Sequence, residues 1–262
     1  MSLNALEAAG MGAVMYGPPH LKPMAQQATF ARRYGECKEH GKYPLNGIDD
    51  AGVYFAYPEW CPACKRQQLA SSAIAGSNIP ERFLSCTFDN YVVSNEGQQV
   101  ALTMARRYAE NFADHRKTGC SLILTGTVGT GKNHLATAVA KVLLAQHFTV
   151  LRVKAAHYLD AFWAKDFSER EAWISELSRI DLLMLDEVGR SSQAKAAQDA
   201  FFRLVDGRYE LGRPMLITTN LMRRADVDEL AEALGEAAYD RVRQGGTERA
   251  RMEWESYRKK AD

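Results

Sequence analysis

No apolar run in the sequence approaches the length needed to span a membrane, and the opening residues, Met1-Ser-Leu-Asn-Ala-Leu-Glu7, lack the basic segment followed by an apolar one that marks a secreted chain. The expectation is a cytoplasmic protein with no membrane partner. Net charge is missing too: 33 lysines and arginines stand against 32 aspartates and glutamates, a balance of +1. That excludes a global basic field for nucleic acid, so any such contact must come from local patches. A fully paired disulfide framework is also excluded, because the 5 cysteines are odd in number. Reduced thiols or metal ligands are favoured instead. What the chain has is length and apolar residues, 262 residues at 46% hydrophobic, enough for one sizeable α/β domain and a small module.

The stretch that organises the rest is Ser121 to Leu135, Ser-Leu-Ile-Leu-Thr-Gly-Thr-Val-Gly-Thr-Gly-Lys-Asn-His-Leu. Leu122, Ile123 and Leu124 form an apolar run of buried-strand length, and a helix-forming run from Lys132 to Gln146 follows. The glycines between them, Gly126, Gly129 and Gly131, allow left-handed and close-approach backbone, so successive N–H groups can point at nucleotide phosphates beside a helix N-terminus. Lys132 reaches the outer phosphates, and Thr130, Asn133 and His134 complete the candidate ATP-binding set. Asn133 stands where a serine or threonine would give a hydroxyl to Mg²⁺. Its amide oxygen can ligate a hard cation directly or through water. The plain alternative is a glycine-rich turn with a chance lysine.

Downstream, Asp181-Leu-Leu-Met-Leu-Asp186-Glu187 reads as a buried parallel strand ending in two carboxylates. Phosphoryl transfer needs such a pair, Asp186 to hold Mg²⁺ through water and Glu187 to orient the attacking water. Thr149 to Val153 and Met215 to Thr219 read as further strands, and Asn220 ends the second of them. There it either senses the γ-phosphate and the lytic water or is a turn residue. Phe83, Phe88 and Tyr91 precede the loop, as base-packing aromatics or as ordinary core. Tyr158, Phe162, Trp163, Phe167, Trp173, Ile174 and Leu177 form an aromatic-rich set, read as core, as a subunit surface or as a surface that stacks on single-stranded bases.

Upstream, Cys37-Lys-Glu-His40 and Cys61-Pro-Ala-Cys64 each place two potential ligands at i and i+3, with an insert from Gly41 to Trp60. This spacing predicts a four-ligand structural Zn²⁺ site of Cys37, His40, Cys61 and Cys64, whose binding supplies folding free energy to a short segment. A dithiol redox motif at Cys61 and Cys64 is the rival, but it should follow a strand of a βαβ unit and would leave Cys37 and His40 unexplained. Cys86 and Cys120, alone in apolar surroundings, read as core residues. A break at Gly76 to Pro80 separates a 1–76 module from a 77–262 domain.

The strand, loop and acid pattern describes an additional-strand P-loop ATPase, a central parallel sheet flanked by helices. In detail the chain resembles the DnaC-type (DnaC and DnaI) replicative helicase loaders, a subfamily of AAA+ ATPases. The likeness rests on Cys86-Thr-Phe-Asp-Asn-Tyr91, Gly129-Thr-Gly-Lys-Asn-His-Leu135, Asp181 to Gly189, Thr219-Asn220, Leu234-Gly-Glu236, Asp240-Arg-Val-Arg243 and Trp254-Glu-Ser-Tyr-Arg258. It covers roughly Pro80 to the C-terminus. The resemblance implies ATP bound by Lys132 and its loop, Mg²⁺ at Asp186, water primed by Glu187, Asn220 as first sensor, Arg241 as an arginine finger acting on a neighbouring subunit, and Arg258 as second sensor. It also implies self-association through the ATP sites, a hexameric DnaB-type helicase as partner and delivery of that helicase onto single-stranded DNA, and the expected hydrolysis is slow and stimulated by partner or DNA. The departure is the cysteine-histidine module, which is like that of DnaI-type rather than DnaC-type loaders and would grip the helicase. A second departure is Thr247 to Glu253, charged for an edge strand. Two other functions compete: an IstB-type transposition ATPase on duplex DNA, and a zinc-dependent adaptor with a nucleotide switch. Arg106-Arg107, Arg116-Lys117, Arg223-Arg224 and Arg249 with Arg251 are candidate DNA contacts or plain solvated faces.

Overall fold

A computed structural model describes residues 33–39, 41–48, 54–56, 61, 63–64, 72–189, 195–224 and 227–257. The chain divides into two compact units, 1–69 and 70–262.

In the first unit, strands β1 (Tyr34–Cys37) and β2 (Gly41–Pro44) form an antiparallel hairpin in which Cys37 pairs with Gly41. Gly41 has φ +69°, a left-handed conformation that a tight return needs and glycine adopts freely. A second antiparallel pair joins β3 (Asn46–Ile48) to β4 (Tyr54–Ala56). Among the described residues of this unit only Cys61 is buried. β1 and β2 bury none of their residues, and so short a hairpin does not hold itself together by burial.

After a short helical stretch at 72–76 and a 3-10 turn at Glu81–Phe83, the second unit continues with helices α1 (Glu96–Glu110) and α2 (Phe112–Thr118). The Asn95 side chain accepts from the Gln98 backbone N–H at 2.9 Å, and the Gln98 side chain accepts from the Asn95 N–H at 3.1 Å, a reciprocal cap that fixes where α1 starts. Strands and helices then alternate: β5 (Ser121–Gly126), α3 (Lys132–Ala145), β6 (Val150–Lys154), α4 (Ala155–Ala164), α5 (Phe167–Arg179), β7 (Leu182–Val188), α6 (Lys195–Glu210) and β8 (Met215–Thr219). A small hairpin of β9 (Arg223–Arg224) and β10 (Val227–Asp228), helices α7 (Glu229–Leu234) and α8 (Glu236–Gln244), and β11 (Thr247–Met252) complete it.

The sheet runs β11-β5-β8-β7-β6 with every pairing parallel, the α/β class expected from the sequence. Successive strand residues face opposite ways, and the runs divide accordingly. Ile123, Leu183, Leu185 and Ile217 join the core under α4 to α8, whereas Leu122, Leu124, Leu182, Met184 and Leu216 join the core under α1 and α3. A sheet covered on both faces requires continuous apolar runs rather than alternation.

The aromatic set is divided between core and surface. Tyr158 is buried, stacks on Trp173 and Phe201, and donates to the Ala200 carbonyl at 2.7 Å, while Trp163 and Phe167 stand 51% and 68% exposed. The charges of β11 are matched locally, which is how a charged segment serves as an edge strand. Arg249 pairs with Asp228 at 2.5 Å, and Glu248 lies 3.3 Å from Arg107 and 3.8 Å from His115. Among the described residues no helix is long and apolar enough to cross a membrane.

Candidate nucleotide site and candidate metal centre

Parallel register puts the ends of β5, β7 and β8 at one level: Thr125 opposite Thr219, and Val188 opposite Thr219. The loop leaving β5 has Gly126, Gly129 and Gly131 at φ 145°, 79° and 91°. Side chains there would also collide with packed backbone. A Cβ on Gly126 would lie 2.0 Å from the Met252 carbonyl oxygen, and one on Gly129 1.9 Å from Ser256 Oγ. The loop is thus bracketed by the segment following β11. Tyr257 N–H donates to Gly129 O at 3.0 Å and Trp254 Nε1 to Thr130 O at 3.1 Å, while Tyr91 OH donates to the same Thr130 oxygen at 3.2 Å. Burial pushes the Tyr91 hydroxyl well above the ordinary tyrosine range, keeping it a donor.

Lys132 is buried and lies back over its own loop, donating to Gly126 O at 2.9 Å and Thr127 O at 2.6 Å. Thr130 is buried, with its hydroxyl donating to Thr127 O at 2.9 Å. Asn133 is half-buried at the start of α3. His134 donates through Nε2 to the Thr87 carbonyl at 2.7 Å and meets Tyr91 edge to face, so it ties the 86–91 segment to the loop helix.

Asp186 is 1% exposed. One carboxylate oxygen is paired with the Arg152 guanidinium, and the other accepts from the Thr218 hydroxyl. Glu187 follows in a register irregularity between Leu185 and Val188, at φ +60°, with its N–H donating to Thr218 Oγ1 at 3.0 Å. A bulge of this kind re-aims a side chain. The Glu187 carboxylate is exposed and ion-paired with Lys154 at 3.0 Å. Asn220 is exposed immediately beyond β8. The loop, Lys132, Asp186, Glu187 and Asn220 therefore share one edge of the sheet. Arg152, Lys154 and Thr218 belong to this cluster and were missed by motif reading. The available signal was an arginine inside the apolar run Val150-Leu-Arg-Val153, since a charge inside a strand is buried only if paired.

ATP with Mg²⁺ fits these residues. Left-handed glycines stand at a helix N-terminus with a lysine beside them, and a carboxylate with two engaged oxygens keeps lone pairs for metal-bound water.

Arg241 is not brought to this edge. It pairs with Asp206 at 2.6 Å, lies over the Phe202 ring at 4.5 Å, and lines a cavity with Arg208, Arg213, Ser121 and Met215, at the start of the strands. The six residues of β5 separate it from its own phosphate loop, about 15–20 Å at the strand rise. Arg258, like His40, lies outside the described residues. Of the basic clusters, Arg106, Arg107, Arg116, Lys117, Arg224, Arg249 and Arg251 are each ion-paired within the chain. Arg223 instead lines a cavity with Arg243, Arg249 and Arg251.

In the first unit the sulfurs of Cys37, Cys61 and Cys64 lie within 4.8 Å of one another, with Cys37 and Cys64 3.5 Å apart. Bonds of about 2.3 Å to a tetrahedral ion set sulfurs about 3.8 Å apart, so this cluster could hold zinc. Crowding opposes ionisation: the hydrogen bond with Cys37, ahead of burial and of Cys61, pushes the Cys64 thiol up to about 12. A bound cation reverses that cost, because it ligates the thiolates.

A family model described as IstB-like ATP binding protein matches residues 104–262. The replicative helicase loader DnaC of Escherichia coli K12 is 34% identical over 185 residues, spanning 70% of this chain and 73% of that protein. A solved structure of the DnaC helicase loader superposes with a TM-score of 0.56 at 20% identity, over 66% of this chain and 99% of that one. For a solved DnaI the values are 0.54 and 19%, over 68% and 94%. At those identities the structural likeness speaks for fold, and the fold is the AAA+ P-loop domain.

Proposed function

The chain belongs to the IstB-like ATP-binding family and is related by sequence to the DnaC helicase loaders, and from that premise we propose that it is an ATP-dependent loader of a replicative hexameric helicase. The observation that carries this reading is the 34% identity to a replicative helicase loader over 73% of that protein's length. The site geometry supports the ATP-dependent part. In this reading Lys132 leaves the Gly126 and Thr127 carbonyls for the outer phosphates, the loop N–H groups bind the remaining phosphate oxygens, Glu187 takes a proton from the attacking water and Asn220 orients that water. Asp186, through water, and Asn133 would hold Mg²⁺, which would supply charge neutralisation to the phosphates. Arg241, remote from its own loop, serves the nucleotide of a neighbouring copy, which makes self-association part of the mechanism. Single-stranded DNA is the strand on which the helicase is placed.

Co-purification of the chain with a DnaB-type hexamer, with and without ATP and read by the mass of the complex, tests the proposal. Several copies on one hexamer in ATP are expected. No complex, together with ATP-dependent binding to duplex DNA, would move the reading to an IstB-type transposition ATPase.

The 1–76 region is proposed as a zinc-bound module that grips the helicase, with His40 as fourth ligand. Chelation, or Cys64→Ser, is expected to remove about one zinc ion per chain and unfold this region while the ATPase domain stays folded, because a structural ion carries the folding free energy of such a module. Metal content and limited proteolysis of the full chain report both effects. Retention of zinc in Cys64→Ser would remove Cys64 from the ligand set.

A further inference from the structure

We propose that Arg152 is the resident counter-ion of Asp186 and sets the metal requirement of the site, so that nucleotide binding in this protein gains little from Mg²⁺. The proposal rests on the ATP-binding reading above and concerns the same site. Phosphate-loop ATPases hold their metal with two protein groups, a Ser or Thr hydroxyl beside the loop lysine and an aspartate at the end of a neighbouring strand. Both differ here. Asn133 offers an amide in place of the hydroxyl, and Asp186 already carries a cation.

That cation is not a loose surface group. Arg152 sits in the middle of β6 with 8% exposure, and its backbone N–H is fixed to the Ser77 carbonyl at 2.8 Å. Buried at 1% exposure, Asp186 needs a partner, and removing either member would strand a charge. Thr218 takes the second carboxylate oxygen, so the side chain cannot turn away from the arginine and keep both bonds. The other acid is matched as well, Glu187 by Lys154. Two carboxylates and two cations from adjacent strands leave the acid pair itself with no net charge, where two unpaired acids would leave −2. Mg²⁺ is bound through one or two carboxylates plus phosphate oxygens and keeps several waters. With the carboxylate charge neutralised, most of its hold on the site is lost, and the phosphates rely on Lys132 and the loop.

The test is binding of a fluorescent ATP analogue to the full chain in excess Mg²⁺ and in EDTA. The ratio of the two dissociation constants in the wild type is expected to stay within about threefold, and in Arg152→Met to open to about tenfold or more, as a freed carboxylate recruits the metal. Arg152→Lys keeps the charge and should keep the wild-type ratio, which preserves the test if the methionine variant does not fold. A wild-type ratio above about tenfold, or an Arg152→Met ratio equal to the wild type, overturns the proposal and leaves the ATP-binding reading standing. Absence of binding in both buffers overturns the ATP-binding reading itself, and this proposal with it.

Discussion

Lys132→Ala is expected to weaken ATP binding by at least about a hundredfold, the loss of two charge-assisted contacts of about 1.5 kcal/mol each. The ammonium is held by the carbonyls of Gly126 and Thr127 at 2.9 and 2.6 Å. Those contacts keep it over the loop with little freedom left to lose when phosphate oxygens replace the carbonyls. Being buried, it has shed much of its hydration before a ligand arrives. The loop itself should persist in the variant, because its shape is set elsewhere, by Gly126, Gly129 and Gly131 and by donors from Tyr91, Trp254 and Tyr257. Lys132→Arg separates charge from geometry, since a planar guanidinium is too wide for a loop this closely packed. Titration with a fluorescent ATP analogue, with circular dichroism to confirm folding, decides it. Unchanged affinity in a folded Lys132→Ala chain would end the nucleotide assignment.

Much of this edge was legible in the sequence because its signals are local. A pattern of three glycines and a lysine needs no partner strand to be recognised, and an apolar run ending in Asp186 and Glu187 announces a buried strand with acids at its end. The strands covered on both faces were legible for the same reason, as runs without alternation. What escaped depends on strand order and register. Arg152 meets Asp186 only because β6 lies beside β7, and Thr218 meets it only because β8 flanks β7 on the other side. Glu187's left-handed backbone follows from a bulge that no propensity scale assigns to glutamate. The fastening of Trp254 and Tyr257 to the loop follows from β11 running parallel to β5 at the sheet edge, which carries the chain past Met252 directly onto Gly129 and Thr130. His134 was marked by its motif, yet its hydrogen bond to Thr87 connects residues 47 apart in sequence.

Arg241→Ala is expected to leave ATP binding by the isolated chain intact and to lower hydrolysis in the helicase-bound assembly by about a thousandfold, the lower end of what arginine fingers contribute. The isolated chain cannot show the effect. Arg241 lies at the start of the strands, engaged by Asp206 and Phe202, and the phosphate loop lies at their end, so its charge has no path to its own nucleotide. A residue so placed acts on a bound phosphate only across a head-to-tail interface, in which one copy's strand-start edge faces the next copy's loop. That geometry makes two inactive proteins complementary. Lys132→Ala binds no ATP but still presents Arg241, whereas Arg241→Ala binds ATP but presents nothing. Mixed in equal amounts on one helicase, about a quarter of the junctions should pair a competent loop with a competent arginine, and hydrolysis should return to that fraction of the wild-type rate. A mixture no more active than its two components, with both still assembled, would place the arginine's role within its own subunit, in the packing of α8 on α6.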